Sequence, residues 1–376
     1  MSADYWSSSQ RTKWQLTKPQ LLEARRKVLL LERKMVQNGL IKDHPEIQYD
    51  YNMRIYLHNL LIKLGRRLNI RQVALATAEI YLIRFLTRVS LKEINVYLLV
   101  TTCVYVACKV EECPQHIRLI LSEARNLWPE YIPQDITKLA EFEFYLIEEM
   151  DSYLFLHHPY KSLIQIRDFL AENVSIYGFQ LTDDELQNAW SLINDTYMTD
   201  LHLFLPPHII SIAAIYITIV LKKNLAELRG STEKDANAGS INQNNNENAD
   251  VGDANGGNKT DGQSASQPSN KHNMHIDDLM TLVNPGNMSN SSNTNGNMDN
   301  MSKTKDQVSL DANFSGPKLD EETIKINKFM NFLSQSHINL DEVVEAMQDM
   351  INLYVVWNRY NEAGVKKALQ SMLLSR

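Results

Sequence analysis

The stretch Ala107-Cys108-Lys109-Val110-Glu111-Glu112 closes a long, almost wholly apolar segment that begins near Ser90. A second apolar segment, 138–150, carries Glu143. Both are predicted to be helices from their length and composition, and helices that are apolar nearly all round pack inside a core. A lysine and a glutamate on two neighbouring packed helices can together grip the main chain and the charges of an incoming protein segment. This pattern therefore indicates binding chemistry rather than catalysis.

Each of these charged residues also has a structural interpretation. Lys109 lies near the end of its helix, where an ammonium complements the helix dipole by ~0.3–1 kcal/mol and reaches water along its apolar stem. Glu143 lies among aromatic neighbours, so its carboxylate needs a partner or a route to solvent. Glu111 and Glu112 either rim an interface or are ordinary solvated charges.

The composition predicts two domains without a nucleic-acid or membrane ligand. The chain has 376 residues, of which 44% are hydrophobic, and this length suits two cores of ordinary domain size. Its net charge is -7, and no block of lysines and arginines follows one helix face, as a surface that tracks phosphates would require. The longest apolar run, 209–221, is far shorter than the ~20 residues that span a bilayer. Residues 1–15 lack the apolar core of a signal peptide.

The residues that usually carry metal or catalytic chemistry do not form a site pattern. Cys103, Cys108 and Cys113 recur every five residues, which turns about 140° per step around a helix and excludes a shared metal face. Their odd number predicts reduced thiols that fill a core. No zinc-ligand spacing, glycine-rich phosphate loop or nucleophile elbow is found. We therefore expect no cofactor, no metal and no catalytic residue.

Helix signals dominate the chain, and no alternating run flanked by hairpin turns predicts a strand. Stretches that begin at Thr17, Ser90 and Thr182 fit the capping box, in which the first and fourth residues bond to each other's backbone N–H. The fold class is therefore predicted to be all-α. The predicted helices are 17–37, 48–68, 71–89, 90–112, 116–124, 133–150, 159–173, 182–201, 206–224, 320–334 and 339–357, with a tail helix from Asn361.

The helix order predicts two tandem five-helix units. In each unit the third helix, at 96–110 and at 209–221, is apolar nearly all round and is predicted to be central. Identity between the two halves is weak, so this repeat rests on helix order and hydrophobicity. We expect an N-terminal segment and helix at 1–47, a first unit at 48–152, a second unit at 153–229 and 318–357, an insertion at 230–317 and a tail helix at 358–376.

The insertion is rich in Asn, Gly, Ser and Asp. Such a stretch buries too little apolar area to offset the entropy lost on ordering, so we expect disorder there. A long loop costs only ~0.6 kcal/mol per doubling of its length, which the fold can carry. The stretch 276–283 is the only part with an amphipathic pattern, and it is either a passive spacer or a partner-docking segment.

Four stretches resemble the cyclin box in order and spacing, and three others resemble the cyclin C subfamily. The first four are Met53-Arg54-Ile55-Tyr56-Leu57 through Leu64-Gly65, Ala78-Glu79-Ile80-Tyr81-Leu82-Ile83-Arg84-Phe85-Leu86, Ala107-Cys108-Lys109-Val110-Glu111-Glu112 and Glu141-Phe142-Glu143-Phe144-Tyr145-Leu146. The other three are Tyr5-Trp6-Ser7-Ser8-Ser9-Gln10 with Trp14, the segment 150–160, and Asn194-Asp195-Thr196-Tyr197-Met198-Thr199-Asp200-Leu201. The resemblance covers 1–224 and 320 to about 357.

The resemblance implies a non-catalytic regulatory subunit that binds and activates a cyclin-dependent protein kinase. In this subfamily the kinase is that of the Mediator complex, which regulates RNA polymerase II transcription in the nucleus, and the other subunits of the Mediator kinase module are further partners. In the family, residues that match Lys109 and Glu143 bond to the kinase main chain, and Glu112 and Glu111 would lie beside them. Trp6 and Trp14 would either add contacts to the kinase or fold back on the first unit.

Two departures from the family pattern concern substrate docking and Arg54. The segment 53–57 resembles the motif by which cell-cycle cyclins hold substrate peptides, but Leu60 and Lys63 replace the tryptophan and the acid found there. Ile83 stands where the aspartate that pairs with Arg54 is usually found, so we expect a different partner, with Glu79 as one candidate.

Two other functional classes fit an all-helical chain with two units. A cyclin-fold general transcription factor would have the same architecture but a basic DNA-facing surface. A helical scaffold would need a period of ~34–47 residues over at least three units, and only two units are seen. Activation of an idle kinase by the purified chain distinguishes the regulatory subunit from both.

Overall fold

The protein is described by a computed structural model that covers residues 4–240 and 320–374, with side chains for 4–224 and 320–374. This part of the chain contains fifteen helices and no strand, as the all-α prediction requires. The helices are α1 Ser9–Lys13, α2 Lys18–Gln37, α3 Tyr51–Arg67, α4 Gln72–Phe85, α5 Val96–Val110, α6 Ile117–Leu127, α7 Ile136–Glu149, α8 Pro159–Glu172, α9 Val174–Tyr177, α10 Asp183–Thr196, α11 Leu201–Phe204, α12 Pro207–Ser240, α13 Glu321–Ser334, α14 Leu340–Trp357 and α15 Glu362–Leu374.

Two apolar helices lie at the centres of two bundles. Helix α5 packs against α3, α4, α6 and α7, and helix α12 packs against α8, α10, α13 and α14. Helix α4 contributes to both cores, since Ala78 and Tyr81 belong to the first and Ala76 and Ile80 to the second. The two bundles are therefore joined through a helix that is buried on nearly all sides.

The capping boxes predicted at Thr17 and Thr182 are both present, each with its reciprocal pair of bonds. The one predicted at Ser90 is wrong, because the Ser90 hydroxyl donates to Glu32 on α2 and accepts from the backbone of Lys92. Helix α5 begins instead at Val96, where the Asn95 side chain accepts two backbone N–H bonds. Because the Ser90 side chain bonds to another helix, it does not cap α5 at the predicted position.

Helix α12 is longer than predicted. It continues to Ser240, beyond 224 and into the first part of the insertion expected at 230–317. A helix that is already nucleated gains one backbone bond for each added residue, and no proline interrupts 207–240 after its first position. The rest of the predicted insertion, including 276–283, lies outside the described residues.

A carboxylate of the second unit anchors two arginines of the N-terminal half. Asp200 accepts two bonds from Arg25, at 2.7 and 3.0 Å, and one Asp200 oxygen lies 3.1 Å from Nη1 of Arg54. Arg54 also lies over the rings of Tyr49 and Tyr51. The partner of Arg54 is therefore Asp200 and not Glu79, whose carboxylate lies 2.7 Å from Nδ1 of His58.

The N-terminal segment lies across both bundles. The Gln10 side chain exchanges two bonds with the backbone of His157, and the Leu16 N–H donates to the Leu203 carbonyl at 2.7 Å. Trp14 is 4% exposed and lies 4.7 Å from the guanidinium groups of both Arg84 and Arg88. Cation–π contact supplies part of the stabilisation that Arg84, a buried cation, loses by leaving water.

A second buried carboxylate predicts pH-dependent stability. Burial raises the pKa of Asp195 to about 6, although the Tyr354 hydroxyl at 2.6 Å favours the charged form. Because this pKa exceeds the ordinary 3.8, the folded state binds the proton more tightly than the unfolded chain does. The stability contributed by this proton is present at low pH and is lost as pH rises through about 6.

The Asp195→Asn variant keeps an acceptor for Tyr354 and removes the buried charge. We expect its free energy of unfolding at about pH 8 to exceed that of the wild type by about 1–3 kcal/mol, a gain that shrinks below about pH 5. Urea unfolding at both pH values measures the difference. Asp168→Asn, at an exposed carboxylate, is the matched control and should show no such trend; a pH-independent effect of Asp195→Asn would contradict the assignment.

Candidate functional site

Lys109 and Glu143 meet at the surface of the first bundle. Lys109 lies in the last turn of α5 and Glu143 in the middle of α7, and the ammonium donates directly to the carboxylate. The Lys109 side chain is 40% exposed and that of Glu143 is 15% exposed. Both groups keep unused bonding capacity, since an ammonium has three donors and a carboxylate about four acceptor sites. The pair is therefore accessible to a partner.

The electrostatics of the pair favour the charged form of the lysine. Partial burial by itself lowers the pKa of Lys109, but the bond to Glu143 and the nearby Tyr105 outweigh it and raise this pKa above its ordinary value. The ammonium lies 4.3 Å from the centre of the Tyr105 ring. Lys109 is thus a fixed cation, held between a carboxylate and an aromatic face one turn earlier on the same helix.

The sequence of α7 places Glu143 at the edge of the buried face of the helix. Leu139 and Leu146 are fully buried, and Phe142 packs 5.9 Å from Phe85 on α4. Apolar residues at this spacing define one helix face. Glu143 stands four positions after Leu139 and three before Leu146, so it lies close to this face, and its side chain is only 15% exposed. Phe144, the next residue, is 74% exposed, and aromatic side chains are enriched in protein interfaces.

The turn after α5 holds the other two candidate residues in different environments. Glu112 has φ +54°, in the left-handed region, and the Cys113 N–H returns to the Cys108 carbonyl at 2.9 Å. These are features of a Schellman turn, which usually has glycine at the left-handed position. Glu112, three residues after Lys109, is exposed, whereas the Glu111 carboxylate accepts from Thr77 Oγ1 on α4 at 2.5 Å.

The two predicted N-terminal contacts have separate locations. Trp14 is enclosed by Arg84 and Arg88, so its ring folds back on the first bundle. Trp6 is 57% exposed, with its ring 5.8 Å from that of His208 on α12. Of the two, Trp6 is the one that a partner can reach.

Two residues near the site were not predicted. Tyr105 stands four positions before Lys109, a spacing that places both on one helix face and could have indicated the contact. Thr77 has no such signal, because its bond to Glu111 joins separate helices. Among the described residues, no three His, Cys, Asp or Glu side chains are grouped as a metal site would need, and no helix is long and apolar enough to cross a membrane.

Comparison with known proteins first defines the class. Residues 24–154, which include α5 and α7, match the family model "Cyclin, N-terminal domain". The first bundle is therefore a cyclin box.

Full-length relatives then define the subfamily. The chain is 71% identical over 376 residues to the RNA polymerase II holoenzyme cyclin-like subunit of Scheffersomyces stipitis, covering 100% of this chain and 99% of the relative. The proteins of the same description in Debaryomyces hansenii and Saccharomyces cerevisiae are 63% and 39% identical, with 100% of this chain covered in both and 99% and 98% of the relative. The chain belongs to the cyclin family, in the cyclin C subfamily.

Proposed function

We propose that this protein is the regulatory subunit of a cyclin-dependent protein kinase, that it activates this kinase without catalysing a reaction itself, and that Lys109 and Glu143 lie at the centre of the kinase-binding face. The observation that carries this proposal is the ion pair between α5 and α7, in which the Lys109 side chain is 40% exposed. Lys109 supplies donors for kinase carbonyl groups, and Glu143 supplies acceptors for kinase N–H groups.

The expected energetics divide between these charges and the apolar surface around them. Hydrogen bonds to charged groups contribute roughly 1.5–3 kcal/mol each. A stable interface buries on the order of 1,600 Å², so apolar area supplies most of the affinity. Phe144 is an exposed aromatic on the same helix as Glu143 and is our candidate for that role, since aromatic anchors dominate many interfaces.

Activation follows from differential binding to two kinase conformations. A protein kinase is active only when a lysine pairs with a glutamate on its mobile αC helix. A subunit that binds better to the state with αC in place shifts the population toward that state by its difference in affinity. The cyclin therefore needs no catalytic residue to raise the rate.

The particular kinase we propose is the one in the Mediator complex, with the other subunits of the Mediator kinase module as further partners in the nucleus. The full-length relatives named as RNA polymerase II holoenzyme cyclin-like subunits support this choice. The most basic short stretch, Arg25-Arg26-Lys27 on α2, includes an arginine bonded to Asp200, so the nuclear location is proposed from the relatives alone.

Titration of the purified chain into the purified, inactive Mediator kinase subunit tests the proposal. We expect phosphorylation of a peptide substrate to rise from near zero and to saturate at equal concentrations of the two proteins. The chain alone should have no kinase activity. Absence of binding and activation would overturn the proposal and favour a transcription factor or a scaffold.

The left-handed Glu112 gives a prediction that separates stability from binding. Glycine removes a backbone cost of roughly 1–2 kcal/mol, part of which its larger entropy in the unfolded chain cancels. We therefore expect Glu112→Gly to raise the free energy of unfolding by about 0.5–1 kcal/mol and to weaken kinase binding by about tenfold through the lost charge. Asn69→Gly, at the left-handed Asn69 after α3, should leave binding unchanged. Unchanged binding by Glu112→Gly would exclude Glu112 from the interface.

A further inference from the structure

A chain of buried hydrogen bonds connects the second bundle to the turn that carries the candidate site. Thr77 on α4 is fully buried, and its hydroxyl donates to the Glu111 carboxylate at 2.5 Å. The same Oγ1 lies 2.8 Å from Nε2 of His158, which precedes α8, and Nδ1 of His158 lies 2.9 Å from the Tyr197 hydroxyl.

The direction of every bond in this chain follows from the charge of His158. Burial lowers the pKa of His158 to about 3, so its imidazole is neutral and has one donor and one acceptor. Because the Thr77 proton is used on Glu111, Thr77 accepts from Nε2–H, and Nδ1 then accepts from the Tyr197 O–H. Each group satisfies its neighbour, and removing any one of them leaves a buried polar atom unpaired.

This series of hydrogen bonds ends at Glu111, a residue next to the Lys109–Glu143 site in the sequence. Glu111 is the C-terminal cap of α5, one residue after Val110 and two after Lys109. Its side chain is 23% exposed and turns inward to the Thr77 hydroxyl. Holding this carboxylate fixes the last turn of α5 and the start of the turn that contains the left-handed Glu112.

We propose that Thr77 and His158 are positioning residues for the kinase-binding face, which act through Glu111 to orient the end of α5 and the ammonium of Lys109. This inference rests on the proposed function. It makes the second bundle, through Tyr197 and His158, a contributor to binding at a site that lies entirely on the first.

The test is a double-mutant cycle between Thr77 and Lys109, measured as Kd for the purified Mediator kinase subunit. Thr77→Val keeps the shape and removes the hydroxyl, and Thr77→Ser restores it. We expect about tenfold weaker binding for the valine variant and a Kd within about twofold of wild type for the serine variant. Lys109→Ala should weaken binding by about thirtyfold in the wild-type chain. In the Thr77→Val background it should weaken binding by less than about fivefold, because a misoriented ammonium already contributes little to binding.

Thr218→Val is the matched control, since Thr218 is a fully buried threonine on α12 whose hydroxyl bonds only to the Ala214 carbonyl. It should reduce the melting temperature without changing Kd. If the Thr77→Val chain does not fold, Thr77→Cys, with a weak thiol donor, replaces it in the same cycle.

The outcomes separate this inference from the proposed function. Wild-type affinity of the folded Thr77 variant, or additive effects in the cycle, would overturn the positioning role while Lys109→Ala still weakens binding. A Lys109→Ala chain that binds the kinase with wild-type affinity would overturn the binding site itself.

Discussion

The Lys109→Glu, Glu143→Lys double variant is expected to keep its fold and to lose binding and activation of the kinase. The exchange preserves an ion pair between α5 and α7, because the two charges only trade places. A kinase carbonyl that faced an ammonium would then face a carboxylate. Truncation of a central interface residue costs ~2–4 kcal/mol, and repulsion between the new carboxylate and the kinase carbonyl oxygen adds to this cost, so we expect Kd to rise by at least about a hundredfold. Titration calorimetry and the peptide-kinase assay measure the loss.

Single variants and a second exchange make this result specific. Lys109→Glu alone places two carboxylates together and should lower the melting temperature, which the double exchange restores if the internal pair is re-formed. Lys63→Glu, Glu362→Lys exchanges another inter-helix pair, between α3 and α15, and should bind and activate as the wild type does. Wild-type affinity of the Lys109, Glu143 exchange would mean that these charges are structural and that the kinase binds elsewhere.

Removal of the Asp200 carboxylate is expected to have the largest effect on stability. Asp200→Ala leaves two arginines without their anion, and the Arg54 side chain is only 8% exposed. Breaking one partner of a buried pair typically costs 3–5 kcal/mol, because the remaining charge stays buried without compensation. Arg25 is more exposed and contributes the smaller share. We expect the free energy of unfolding, from urea titration, to fall by about 3–5 kcal/mol.

The companion variants test whether this cost comes from the stranded charge. Arg54→Met combined with Asp200→Ala removes the buried cation and should recover a large part of the loss. Asp168→Ala removes an exposed carboxylate paired with Arg167 and should change stability by less than about 1 kcal/mol. An Asp200→Ala effect as small as that of Asp168→Ala would show that the arginines find other partners.

Short sequence patterns predicted where several helices begin, but they predicted fewer of the side-chain contacts between helices. The capping boxes at Thr17 and Thr182 need only four neighbouring residues, and both are present. Ser90 fits the same pattern but bonds to Glu32 on another helix, so a local rule gave the wrong start for α5. The partner of Arg54 lies in the second bundle, and no spacing rule could have named it.

At the candidate site, too, the sequence predicted which residues come together but not the detailed environment of each. Lys109 and Glu143 were predicted as residues of one surface from their places on two apolar helices, and they do meet. The different environments of Glu111 and Glu112 depend on a left-handed backbone angle and on a threonine from α4. Both arise from packing, which a single sequence does not display.

The placement of α12 has a consequence for synthesis of the chain on the ribosome. This apolar central helix is covered partly by α13 and α14, which are encoded after residues 241–319. At ~5–20 residues per second, translation of that intervening stretch takes about 4–16 s. Throughout this interval α8 and α10 can cover one side of α12, but the side that later packs against α13 and α14 stays uncovered. We therefore expect the nascent polypeptide to bind chaperones until its last helices emerge.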